Sequence, residues 1–194
     1  MMSNKLIILV IVFLLSGCGI FSLHPLYHQE DLIVDTNLIG KWQCADDEDL
    51  AIIIDSIGNR KYEFDIIDGN DTVYFEMGLI ELKDQYFIDL YPLEDSNFPS
   101  EGNYDVLELM VRNYIPVHTF MKLDFLEGDI ILTEFDNERL IDLFSQNRIR
   151  LPHEMINQDE YVVITASTND LQKFITRYAN DIDAFNEPET YHRL

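Results

Sequence analysis

Short runs of alternating apolar and polar positions fill the chain between residues 38 and 135. In one of them Tyr62, Phe64 and Ile66 are apolar, while Glu63 and Asp65 between them are charged. Because successive side chains of a β-strand point to opposite faces, a period of two places the apolar ones on a single face. Eight such runs predict strands at residues 38–44, 50–56, 61–67, 72–82, 85–91, 105–111, 118–126 and 129–135.

The connections between these runs favour tight turns. Gly, Asn or Asp occurs at residues 57–59, 68–71, 83–84 and 127–128, and these residue types tolerate the left-handed backbone of a hairpin. An acidic stretch with two prolines, residues 92–104, predicts a loop. One apolar face per strand indicates an antiparallel sheet with a covered and a wet side. We therefore predict a mainly β fold, an antiparallel barrel or strongly curved sheet of about eight strands.

After residue 136 the apolar spacing becomes helical. A first helix is predicted by Leu140, Ile141, Leu143 and Phe144. A second helix has the apolar stripe Leu171, Phe174, Ile175 and Tyr178. Ser167 or Thr168 is its expected N-cap, and residues 161–165 predict a short strand between the two helices. We expect the tail from residue 181 to add a short turn around Ala184 and then to fray.

The first 17 residues have the parts of a secretory signal peptide. Lys5 supplies a positive start, residues 6–15 are an apolar run, and Ser16 and Gly17 are small. The run is too short to cross a bilayer as a mature helix, which takes about 20 apolar residues. The alternative is a signal-anchor helix that ends at an ordinary buried Cys18.

The segment Leu15-Ser16-Gly17-Cys18 resembles the lipobox of bacterial lipoproteins. The resemblance implies removal of residues 1–17, diacylation of the Cys18 thiol and acylation of the new amino terminus, with palmitate as a suitable label. Two or more acyl chains are enough for stable membrane attachment. The chain as a whole is similar to bacterial envelope lipoproteins. We expect a protein anchored to a bacterial membrane through Cys18, the outer membrane rather than the inner.

These patterns divide the chain into three parts. Residues 1–17 are the signal peptide, and residues 18–36, which show little periodicity, are predicted to be a lipidated tether. Residues 37–194 are predicted to form a single β-rich domain with a C-terminal helical region.

The tripeptide Gly40-Lys41-Trp42, at the start of the β region, resembles the Gly-x-Trp motif of lipocalins. In that family the tryptophan packs across the closed base of an eight-stranded barrel, and a later basic residue covers it. The resemblance implies structural roles for Gly40 and Trp42 and a barrel that can enclose an apolar ligand. The alternative is a Trp42 in the core of another antiparallel sheet. Small barrels are also filled by their own side chains.

Charge excludes one class of function. The formal net charge is −23, and removing Lys5 with the signal peptide takes it to −24. Such a surface repels phosphate backbones, so we expect no nucleic-acid binding. Anionic headgroups are repelled for the same reason, so the lipid must hold the protein at the membrane.

No motif in the sequence indicates catalysis or a cofactor. With Cys18 consumed by lipid, Cys44 has no partner for a disulfide, and acidic neighbours make it a small buried residue rather than a reactive thiol. His24 and His28 have a spacing that could serve a metal in a helix, but Pro25 and the tether setting argue against a helix and no third ligand is evident. The acidic residues at 46–49 and 65–71 lack the spaced ligand pattern of a calcium site, so we expect no metal. The predicted function is a non-catalytic binding or interaction module for an apolar small molecule or an envelope partner. The alternative is a hydrolase-type enzyme that acts on envelope material.

Overall fold

The computed structural model describes residues 20–93, 115–156 and 161–194, which form a mainly β fold. The strands are β1 (Ile20–Ser22), β2 (Gly40–Cys44), β3 (Leu50–Gly58), β4 (Lys61–Asp68), β5 (Asp71–Leu82), β6 (Gln85–Pro92), β7 (His118–Leu126), β8 (Asp129–Glu134), β9 (His153–Ile156), β10 (Tyr161–Ile164) and β11 (Glu189–Arg193). The helices are α1 (Asn137–Ser145) and α2 (Thr168–Tyr178), and short 3-10 turns lie at Thr36–Leu38 and Ile182–Ala184.

Eight of these strands close into an antiparallel barrel. β2 to β6 are successive neighbours, β6 pairs with β7, and β7 pairs with β8. β11 then pairs with both β8 and β2 and completes the ring. The predicted fold class, a mainly β barrel of about eight antiparallel strands with two helices, is confirmed. Seven predicted strands match β2 to β8 within two residues at either end, and the eighth, residues 105–111, lies outside the described residues.

The prediction that the tail frays is wrong, because its last residues form the closing strand β11. Tyr191 is 4% exposed, while its neighbours along β11 are half-buried or exposed. One buried aromatic in five residues is too little for a visible alternation. The strand forms because β2 and β8 leave two edges that need backbone partners, and β11 satisfies both. The turn expected around Ala184 is present as the 3-10 turn Ile182–Ala184.

The tether interpretation is also wrong for the part of it that the structure describes. β1 pairs with β7 and β10, and Leu26 and Leu32 are fully buried. The Ile33 N–H donates to the Leu79 carbonyl at 2.9 Å. Residues 20–36 therefore belong to the folded domain, and we call residues 20–33 the N-terminal strap.

The strap lies on the outer wall of the barrel at Gly78. A Cβ at this position would sit 2.7 Å from Cε1 of Tyr27, a distance that side chains do not tolerate. The missing side chain lets the Tyr27 ring and Leu32 approach the strand. This close approach explains the glycine within β5.

Two hydrophobic cores follow from this arrangement. The first fills the barrel and includes Trp42, Tyr62, Phe64 and Tyr191. The second lies outside the barrel wall, where the strap, α1, α2 and β10 cover Phe87 and Phe120. The barrel wall is thus buried on both faces where the strap and helices cross it, so the strands there show no alternation.

A small side sheet branches from the barrel at β7. Along one edge, β7 pairs with β8 at Met121–Leu126 and with β1 at His118–Phe120. β10 pairs with β1 in parallel, and β9 pairs with β10 in antiparallel orientation. The N-cap predicted for α2 is confirmed, because the Ser167 hydroxyl accepts a hydrogen bond from the Asp170 N–H.

Candidate functional site

The base of the barrel contains the two residues that the sequence analysis singled out. Trp42 is 1% exposed, and its Nε1–H donates to the Leu38 carbonyl at 2.9 Å. Gly40 has φ +153°, and a Cβ there would lie 3.1 Å from Nη2 of Arg193. The glycine therefore leaves room for the guanidinium that packs at this end of the barrel.

Arg193 is the residue that sequence analysis missed. Its guanidinium carbon lies 4.9 Å from the centre of the Trp42 ring, Nη1 donates to the Asn37 carbonyl at 2.7 Å, and Nη2 donates to the Ile39 carbonyl at 2.6 Å. Its guanidinium therefore covers the Trp42 ring at the base of the barrel. The only available signal was its charge in a tail predicted to fray.

Side chains fill the barrel interior above this base. Tyr62 is 1% exposed, and its hydroxyl accepts a hydrogen bond from the Asp35 N–H at 2.7 Å. Farther along the interior, Cys44 is buried, as predicted. Burial raises the pKa of the neighbouring Tyr191, whose hydroxyl donates to Glu189 at 2.8 Å. At these positions, packed side chains fill the barrel interior.

A buried aspartate in contact with a histidine lies on the outer wall, under the strap. Asp89 on β6 is 1% exposed, and its Oδ1 is 2.7 Å from Nδ1 of His118 on β7. Its Oδ2 accepts a hydrogen bond from the Leu26 N–H at 2.6 Å. Burial raises the pKa of the Asp89 carboxyl, and the contact with His118 opposes that rise.

Polar groups continue along the wall from Asp89. Lys61 Nζ lies 5.3 Å from the centre of the Tyr27 ring and 2.6 Å from Oε1 of Glu76. The hydrogen bond between Leu26 and Asp89 and the contact between Tyr27 and Lys61 both join the strap to the wall. The network therefore attaches the strap to the barrel wall.

Ser22 lies opposite His118 in the β1–β7 pairing, so its hydroxyl is a candidate nucleophile with His118 as the base. Its hydroxyl instead donates to the His24 carbonyl at 2.8 Å and accepts from the His24 N–H at 3.1 Å. A serine hydroxyl is activated as a nucleophile when it is hydrogen-bonded to a general base. Here the hydroxyl caps a turn of the strap.

An open groove runs along one face of α2, beside the β5–β6 hairpin. It is lined by Leu82, Lys83, Asn169, Gln172, Lys173, Thr176, Arg177 and Asn180. The helical members recur every three or four residues, so they form the solvent-facing side of α2. The apolar side of the same helix, with Leu171 and Ile175, is buried against the barrel wall.

The groove concentrates positive charge on an acidic protein. It holds Lys83, Lys173 and Arg177, which are three of the 13 Lys and Arg residues of a chain with formal charge −23. Lys173 pairs with Asp170 at 2.9 Å, whereas Lys83 and Arg177 have no carboxylate partner among the described residues. Amide side chains add hydrogen-bonding groups, and one of them, Gln172, is fixed by its bond to Asp31 at 2.8 Å.

The remaining predicted site, Cys18, lies outside the described residues. Within residues 20–93, 115–156 and 161–194, no group of three or more His, Cys, Asp or Glu side chains is arranged to hold a metal ion. In the same ranges, no helix is long and apolar enough to cross a membrane.

Comparisons of the chain with protein-family models, with curated proteins and with solved structures gave no match.

Proposed function

We propose that this chain is a lipid-anchored lipoprotein of the bacterial envelope whose barrel domain is a non-catalytic interaction module. The anchor is Cys18, on the strength of the lipobox resemblance. The interacting surface is the groove along α2, which receives an anionic group of an envelope partner. The observation that carries this proposal is the grouping of Lys83, Lys173 and Arg177 in one groove.

Local charge decides binding at this surface. At physiological ionic strength the Debye length is about 8 Å, so acidic residues elsewhere on the domain are largely screened from the groove. Lys83 and Arg177 have no carboxylate partner among the described residues, so their positive charges are available to a ligand. Arginine also offers a planar fork that fits a carboxylate or a phosphate.

The packed barrel interior favours a surface partner over an apolar small molecule. Trp42, Tyr62 and Tyr191 occupy the space that a ligand would need, and each is at most 4% exposed. The Asp89–His118 pair does not favour the hydrolase alternative. That pair holds the strap, and the nearby Ser22 hydroxyl is hydrogen-bonded to the His24 backbone.

Titration followed by nuclear magnetic resonance tests the groove. The probes are inorganic phosphate and a glutamate-rich peptide, added to the isotope-labelled mature chain with Cys18→Ser so that no lipid is attached. We expect chemical-shift changes at Asn169, Gln172 and Thr176 that vanish in the double variant Lys83→Ala, Arg177→Ala.

The matched control is Arg60→Ala, Lys122→Ala, which removes two positive charges from the barrel strands and hairpins. The proposal fails if neither probe shifts the α2 signals, or if the control variant abolishes the shifts as completely as the groove variant does.

A further inference from the structure

The described chain begins very near the proposed lipid anchor. β1 starts at Ile20, two residues after Cys18. Because an extended residue spans at most about 3.6 Å, the Cα atoms of Cys18 and Ile20 lie no more than about 7 Å apart. Ile20 is 3% exposed and pairs with Phe120 of the barrel strand β7, so it is fixed to the domain. A lipid on Cys18 would hold the domain directly against the bilayer.

An apolar surface lies beside this point. In the side sheet, Ile20, Val162 and Ile164 face the outer core, so the alternate residues face away from it. These alternate residues are the apolar Phe21, Ile156, Tyr161 and Val163, which we call the anchor face, and Glu154, which pairs with Val163. Phe21 pairs with Val163 and Tyr161 pairs with Ile156 across the strands. Tyr161 and Ile156 lie at the end of the side sheet where the chain from Cys18 enters.

The anchor face suits the boundary between lipid headgroups and hydrocarbon. Ile156 is 49% exposed, and the rings of Phe21 and Tyr161 are 6.3 Å apart. Aromatic and aliphatic side chains of this kind favour the membrane interface. Glu154, exposed on the edge strand β9, is the single acid in the three strands of the side sheet, although the chain has 36 Asp and Glu residues.

We propose that the anchor face lies on the lipid bilayer and, together with the acyl chains, holds the barrel in one orientation. The proposal rests on the lipidation of Cys18 proposed above. The occupant is a bilayer rather than a protein, because the anchor is covalently linked to β1 only three residues before Phe21 of this face. The opposite wall of the barrel, formed by β3 and β4, then faces away from the membrane.

Fluorescence quenching by lipid tests this orientation. Ile156→Cys is made in the full chain with Cys44→Ala, labelled with an environment-sensitive fluorophore and reconstituted in phosphatidylcholine vesicles that contain a spin-labelled lipid. Leu23→Cys, at a 45% exposed position directly after β1, provides a second site in case the first variant does not fold. The matched controls are Ile57→Cys and Val73→Cys, whose positions on the barrel are 44% and 42% exposed. Mass spectrometry of the same samples determines whether Cys18 is acylated.

We expect the Ile156 and Leu23 probes to be quenched at least threefold more strongly than the control probes. Equal quenching at all four positions in an acylated sample would overturn the orientation while leaving the lipidation intact. A sample without acyl groups on Cys18 would overturn the proposed anchor, and this inference with it.

Discussion

The guanidinium of Arg193 lies over the indole ring of Trp42, 4.9 Å from its centre, so the penultimate residue of the chain covers the base of the barrel. The same guanidinium donates to two carbonyls of the segment that leads into β2. The segment before β2 is therefore linked to the closing strand β11, which is held where it pairs with β2.

Trp42→Ala should lower the free energy of unfolding by about 3–5 kcal/mol, because it removes a buried aromatic ring and leaves a cavity. The measurement is urea denaturation followed by circular dichroism. A loss below about 1 kcal/mol would show that the ring does not fill the base of the barrel.

Arg193→Ala should lower the free energy of unfolding by about 1–3 kcal/mol through the loss of two charge-assisted hydrogen bonds and a cation–π contact. Arg193→Lys keeps the charge and loses the planar fork, so we expect it to recover only part of this stability. A double-mutant cycle with Trp42→Ala measures the coupling of the two side chains. Full additivity would contradict a direct contact.

Truncation tests the integration of the strap. A chain that begins at residue 37 lacks Leu26 and Leu32 and exposes Phe87 and Phe120 on the barrel wall. We expect it to bind a hydrophobic dye and to melt without cooperativity, while the chain that begins at residue 19 melts in one transition. Equal melting curves for both chains would restore the tether interpretation.

Asp89→Ala should cost about 3–5 kcal/mol, because it leaves His118 and the Leu26 N–H without their buried partner. Asp89→Asn retains an acceptor for the Leu26 N–H and should cost less. Chemical denaturation of the three proteins at pH 7 gives the comparison. Equal stability of the wild type and Asp89→Ala would show that the pair does not hold the strap.

Asp65 should make stability depend on pH. Its Oδ1 is shielded from solvent and has no hydrogen-bond partner among the described residues. Burial, with Glu63 and Asp55 nearby, raises its pKa above the ordinary value. The folded state therefore keeps a proton that the unfolded state has already lost, and the contribution of Asp65 to stability falls as pH rises from about 3.9 through the folded pKa.

We accordingly expect Asp65→Asn to stabilise the protein at pH 7 by about 0.2–1 kcal/mol, and the gain to disappear near pH 3.5. Asp46→Asn, in an exposed loop, controls for the loss of one negative charge from an acidic surface. A gain for Asp65→Asn that is the same at both pH values would contradict a raised pKa.

Sequence reasoning succeeded where turn residues delimit an alternating or continuous apolar run. The alternation of Tyr62, Phe64 and Ile66 and the Gly, Asn and Asp residues in the turns predicted seven barrel strands. It failed where burial depends on distant partners. Leu26 and Leu32 are isolated apolar residues whose burial is visible only when the barrel wall with Gly78 is in place.

The candidate site divides in the same way. Gly40 and Trp42 were found through a local motif, but Arg193 lies about 150 residues away and acquires its role only when β11 pairs with β2. The groove joins a hairpin to a helix face, and no local pattern brings Lys83 and Arg177 together. Both depend on tertiary structure that a single sequence does not encode in its periodicity.

The most direct test of the central claim is metabolic labelling with radioactive palmitate in a bacterium that expresses the full chain and its Cys18→Ala variant. We expect the label on the wild-type protein, which migrates as the processed form in the membrane fraction. The variant should carry no label and should remain uncleaved. Palmitate on the Cys18→Ala protein, or none on the wild type, would contradict a lipoprotein anchored through Cys18.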